Sequence, residues 1–170
     1  MRSARYLLPF CLFFVLGCGY AFEGTTSGLP DDIRFLAIPY AENSSTKMQL
    51  GGLLTDEVRR QFTTSKILKL VDEDQADAIL SLKIRLVRVS GVTLTTIIRT
   101  SSRQITITLD SVLKRKGSGA VLWQGMGIIG YEIYVVETDP VATELNEELA
   151  LAKIARELAE KIHNYMFLGF

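Results

Sequence analysis

Two stretches of strict alternation constrain this chain more than any other feature. In ILSLKIRLVRV (79–89), Leu80, Leu82, Ile84 and Leu86 fall on one side and Ser81, Lys83 and Arg85 on the other. In RQITITLDSVLKR (103–115), Ile105, Ile107, Leu109 and Leu113 alternate with Thr106, Thr108 and Asp110. Successive side chains of a strand point to opposite faces, so each stretch specifies a strand with one apolar and one wet face. KGSG (116–119) supplies a tight turn, and AVLWQGMGIIGYEIYVVE (120–137) a third long strand with Trp123 predicted in the core. Long strands joined this way build an antiparallel meander, and its apolar face needs a cover.

Two helical patterns supply the cover. MQLGGLLTDEVRRQF carries Leu50, Leu53, Leu54, Val58 and Phe62 at helical spacing, with Asp56 and Arg60 as an expected i,i+4 pair. Near the end, Asp139 is a natural N-cap and Pro140 suits the first helical position. Leu151, Ile154, Leu158, Ile162 and Tyr165 then form an apolar stripe widened by Leu145, Ala155 and Ala159. Before the first helix, IRFLAIPY (33–40) reads as a strand and AENSSTKM as a loop. After it come a strand at KILKLVDE (66–73) and an acidic turn, DEDQAD. The fold class is therefore α+β: two helices packed on one face of a four-stranded mixed/antiparallel sheet with long hairpins.

The start of the chain follows different rules. MRSARYLLPFCLFFVLGC has two arginines, about eleven apolar residues and a small residue before Cys18. A bilayer span needs about 20 apolar residues, so this run is a signal rather than an anchor helix. Val-Leu-Gly-Cys resembles the lipobox of bacterial lipoproteins, which implies cleavage before Cys18 and a covalent N-acyl and S-diacylglycerol lipid on that residue. Gly19 after the cysteine, rather than Asp, implies sorting to the outer membrane. The expected organisation is a removed signal at 1–17, a lipidated flexible leader at 18–32, and a single α+β domain at 33–170. Cys11 would leave with the signal, so the exported domain has no disulfide to rely on.

No catalytic or metal constellation emerges. GMGIIG (125–130) matches G-x-G-x-x-G, but β-branched and aromatic residues follow it where a dinucleotide site needs a helix. A glycine-rich strand that bends or bulges is the expected reading. His163 is the sole histidine and is expected on the surface; without a second histidine or a free cysteine it does not make a zinc site. DEDQAD lacks the glycine and closing glutamate of a calcium loop. With 19 basic and 19 acidic residues overall, no charge bias invites nucleic acid.

The leader CGYAFEGTT, the strand IRFLAIPYAENSS, the stretch ILKLVDEDQADAILSLKI, the hairpin RQITITLDSVLKRKGSGAVLWQGM and the final Ala/Leu/Arg/Glu-rich helix together resemble the lipopolysaccharide-assembly lipoprotein family LptE. The resemblance implies a protein that is not an enzyme and needs no cofactor beyond its lipid. It implies anchoring in the outer membrane and seating as a plug inside an LptD-type β-barrel that delivers lipopolysaccharide to the outer leaflet. It also implies contact with lipopolysaccharide or the partner through basic residues near a hairpin tip. In this chain the candidates are Lys83, Arg85, Arg88, Arg99 and Arg103, with Ile97 and Ile98 beside them. The apolar ending YMFLGF, in place of a polar tail, is expected to dock on a partner or on the chain's own core. The opening strand–helix–strand also resembles the module of TolB- and CsgG-type proteins. That alternative implies an activator of a peptidoglycan synthase or a component of a secretion pore.

Overall fold

The computed structural model describes residues 29–92 and 101–168. In chain order the elements are β1 (Phe35–Ala37), β2 (Glu42–Asn43), α1 (Leu50–Ser65), β3 (Lys69–Leu70), a 3-10 turn (Glu73–Gln75), β4 (Ala78–Val92), β5 (Ser101–Arg115), β6 (Val121–Val136) and α2 (Pro140–Leu168). The sheet runs β3-β1-β4-β5-β6, with β2 also paired to β4. β4, β5 and β6 are antiparallel, whereas β1, β2 and β3 pair in parallel.

Both helices lie on one face, as the alternation requires. Leu80, Leu82, Ile105, Ile107, Leu109 and Leu113 are buried beneath Leu54, Val58 and Phe62 of α1 and Ile154, Leu158 and Ile162 of α2. Asp139 caps α2, its Oδ1 accepting the Val141 N–H at 3.0 Å.

The sheet has six strands where four were expected. The three pairings made by β1, β2 and β3 are each only two residues long. β1 reaches only Ala78 and Ile79 of the long strand β4, and β2, inside the expected loop, covers Lys83 and Ile84 farther along the same edge. The segment 66–73 pairs with β1 at Lys69 and Leu70 alone. Unpaired backbone along a partly buried edge is costly, and these short pairings reduce it.

Several side chains depart from the sequence reading. Arg60 pairs with Glu57 one turn earlier, through Nε at 2.8 Å, rather than with Asp56. Leu145 is exposed, because it lies on the side of α2 opposite buried Ile154 and Leu158. His163 is half-buried rather than on the surface. Its ring meets Phe62 edge-on at 5.5 Å and Phe167 at a tilt at 4.8 Å, at the junction of the two helices. Met166 is buried in the same place, so this part of the apolar ending docks on the chain's own core. Trp123 is half-buried and packs against the core.

Candidate functional site

The face of the sheet opposite the helices is the surface with the most to offer a partner, and two bulges build it. β4 slips register between Ile84 and Leu86, leaving Arg85 as an extra residue. Unbroken alternation would send Leu86 into the core and keep Arg88 apart from Lys83. The bulge reverses this: Leu86 turns outward and is half exposed, and Lys83 and Arg88 come to the same face. The expectation that Leu86 is a core residue is thereby corrected. β6 slips where Met126 and Gly127 lie opposite Asp110, and Gly127 has φ +66°, a conformation that favours glycine.

Asp110 joins the two bulges. Its Oδ1 accepts the Gly127 N–H at 2.8 Å, and its Oδ2 accepts from Arg85 Nη1 at 2.8 Å. The alternation of 103–115 makes it an outward polar position, and it does lie on the outer face, but the bulges fold over it and bury it. Burial pulls the carboxyl pKa up; the Gly127 amide and the Arg85 guanidinium outweigh that and hold it below the usual carboxylate value.

The register turns this face into a grid. Lys83 faces Asp110, Leu86 faces Thr108 and then Ile129, Arg88 faces Thr106 and then Tyr131, and Ser90 faces Gln104 and then Ile133. The β4 column sets Lys83 and Arg88 among Leu86 and Ser90, the β5 column carries two hydroxyls, an amide and the Asp110 carboxylate, and the β6 column is apolar. Lys83 is paired with Glu42 at 2.9 Å and Arg85 with Asp110. Among the described residues Arg88 has no ion-pair partner.

The predicted site residues therefore separate. Lys83, Arg85 and Arg88 are brought together. Arg103 points to the helix side, opposite Tyr134, and lines a cavity of about 460 Å3 with Glu137, Glu144, Glu147 and Glu148. Those carboxylates make it a poor place for an anion. Cys18, Ile97, Ile98 and Arg99 lie outside the described residues.

The β6 column is what sequence reading missed. Ile129, Tyr131, Ile133 and Val135 alternate cleanly, a pattern that ordinarily marks a core face. Their side chains nevertheless point outward, and Gly130, Glu132 and Tyr134 face the helices. Gly130 is required there. A Cβ at this position would lie 2.8 Å from Ile154 Cγ2 and 3.0 Å from Leu158 Cγ, so the glycine lets α2 come close. GMGIIG is thus explained by a bulge and a helix contact, not by a phosphate.

Residues 34–166 match the family described as LptE: Lipopolysaccharide-assembly. The chain belongs to the LptE family. Two solved structures show the same fold at low sequence identity. One is a protein of Caulobacter crescentus assigned as a lipoprotein, with TM-score 0.56, 17% identity, and 77% of this chain and 86% of that one covered. The other is a minor lipoprotein of Acinetobacter baumannii, with TM-score 0.53, 14% identity, and 81% and 92% covered. Rare lipoprotein B of Shewanella oneidensis is also similar, at TM-score 0.49 and 17% identity, with 78% and 93% covered. No curated protein matches the chain. Among the described residues, no helix is long and apolar enough to cross a membrane, and no cluster of acidic, histidine or cysteine side chains is arranged to hold a metal.

Proposed function

We propose that this chain is an outer-membrane lipoprotein that plugs and helps assemble an LptD-type β-barrel delivering lipopolysaccharide to the outer leaflet. The observation that carries the reading is the family match, which runs from the residue before β1 almost to the end of α2. Residues 1–17 act as the signal, Cys18 carries the lipid, and 18–32 form the leader to a single domain at 33–170. The role is one of binding and assembly, with no catalytic step and no metal or cofactor.

Lipopolysaccharide carries phosphates, which suit arginine and lysine. On this reading Lys83, Arg85 and Arg88 form the anion contact. Ile97, Ile98 and Arg99, in the sequence between β4 and β5, belong to the same proposed contact. Arg103 ranks behind them, since it shares its groove with Glu137, Glu144, Glu147 and Glu148.

The test is affinity purification of the tagged chain from detergent-solubilised envelopes, with mass spectrometry of what accompanies it. A stoichiometric outer-membrane barrel of the lipopolysaccharide-export type is the expected result. A peptidoglycan synthase or a secretion pore in its place, with no barrel, overturns the reading.

A further inference from the structure

The β6 column raises a question that the family does not answer. Ile129, Tyr131, Ile133 and Val135 are 50%, 56%, 48% and 36% exposed. Residues two apart on a strand are about 6.7 Å apart, so these four make a continuous apolar strip about 20 Å long. A strip of this kind on an outer face marks a contact surface.

β6 is the last strand of the sheet, so its free edge is an obvious place for another strand to add. The backbone argues against that. Lys161 Nζ donates to Ile129 O at 2.7 Å, and Asn146 Nδ2 donates to Val135 O at 3.1 Å. Side chains of α2 thus occupy carbonyls at both ends of the strip. What the strip offers is side-chain surface, not an open ladder.

The surrounding charge points to the occupant. Two strand spacings away, about 10 Å, lies Arg88, which has no ion-pair partner among the described residues, with the Thr106 and Thr108 hydroxyls between and the paired Arg85 beside it. The lumen of a β-barrel is polar and is poorly matched to an isoleucine–tyrosine–valine strip. An acylated, phosphorylated glycolipid matches both columns at once.

We propose that acyl chains of lipopolysaccharide lie along Ile129, Tyr131, Ile133 and Val135, while its anionic groups face Arg85 and Arg88 across the β5 hydroxyls. Asp110 is the positioning residue: it holds Arg85 at the bulge and touches no ligand itself. The proposal rests on the lipopolysaccharide-assembly reading above and adds to it a defined acyl surface.

The test is photocrosslinking in intact cells with the full chain. Tyr131→benzoylphenylalanine and Ile133→benzoylphenylalanine are compared with Glu160→benzoylphenylalanine, an exposed position on α2. Lipopolysaccharide adducts at 131 and 133 but not at 160 are expected. With the crosslinker placed by Ile129→benzoylphenylalanine, the pair Tyr131→Thr and Ile133→Thr should lower the adduct about tenfold, because apolar contact is lost while β-propensity and charge are kept. Adducts with the barrel alone, with a second copy alone, with nothing, or with lipopolysaccharide equally at 160 overturn the proposal. An adduct at 129 that is undiminished by the two threonines overturns it as well. If the barrel co-purifies and these adducts are absent, the acyl surface is wrong and the plug reading stands. If no barrel co-purifies, the plug reading fails on its own account.

Discussion

Asp110 and Gly127 meet where β5 and β6 lose register, and the Asp110 carboxylate accepts the Gly127 N–H at 2.8 Å while its other oxygen accepts from Arg85. One buried side chain therefore holds bulges on both neighbouring strands. Asp110→Ala removes the acceptor and leaves the bulge amide unpaired, at a cost of about 1–3 kcal/mol. Asp110→Asn can still accept from Gly127 and should cost less, since Arg85 is largely exposed and its charge pairing is screened. A carboxylate with a depressed folded pKa lends stability above its unfolded value, near 4, and loses it as pH falls through the lower folded value. Denaturant titrations at neutral pH and below pH 4 should show wild type losing its advantage over Asp110→Asn in acid. A gap between the two proteins that is independent of pH would contradict the assignment.

Gly130 predicts a packing defect. The Cβ of Gly130→Ala would lie 2.8 Å from Ile154 Cγ2 and 3.0 Å from Leu158 Cγ, both on the buried face of α2. Either α2 shifts or the side chains leave their preferred rotamers, costing about 1–3 kcal/mol. Thermal denaturation should show a lower Tm. Leu158→Ala in the same background should restore part of the loss relative to Leu158→Ala alone, because it frees the space the new methyl needs.

Lys66 predicts a gain. It ends α1 with φ 56°, the left-handed conformation that glycine adopts without strain. Lys66→Gly should stabilise the fold by about 1 kcal/mol. An unchanged or lower midpoint in urea would mean that the lysine side chain contributes more than its backbone strain removes.

The alternation of 79–89 and 103–115 is enough to place two long strands and, as far as Ile84 in the first, their buried faces, because period-two burial is a local property. The N-cap at Asp139 and the stripe of Leu151, Ile154, Leu158 and Ile162 were legible for the same reason. What stayed hidden depends on partners distant in sequence. A bulge at Arg85 is invisible in ILSLKIRLVRV because it exists only through pairing with Thr108 and Leu109, yet it decides where Leu86 and Arg88 point. The β6 strip was hidden more thoroughly. Its alternation was readable, but the usual inference sends isoleucine and valine inward, and the bulge at Met126 and Gly127 opposite Asp110 reverses the faces beyond it. His163 was misplaced because its burial comes from Phe62, about a hundred residues earlier.

Cys18 predicts a clean separation of folding from location. The chain has two cysteines, Cys11 and Cys18, and neither is among the residues of the described core. Each buried methylene of an acyl chain contributes about 0.8 kcal/mol to membrane attachment, and several chains on one residue make a lasting anchor. Cys18→Ala should leave the domain's Tm unchanged and move the chain from the membrane pellet to the soluble fraction. Contact with a barrel would slow that release without preventing it, so the experiment is repeated after barrel depletion. Full retention in the pellet under depletion, with an unchanged Tm, would show that Cys18 is not what holds this chain at the membrane.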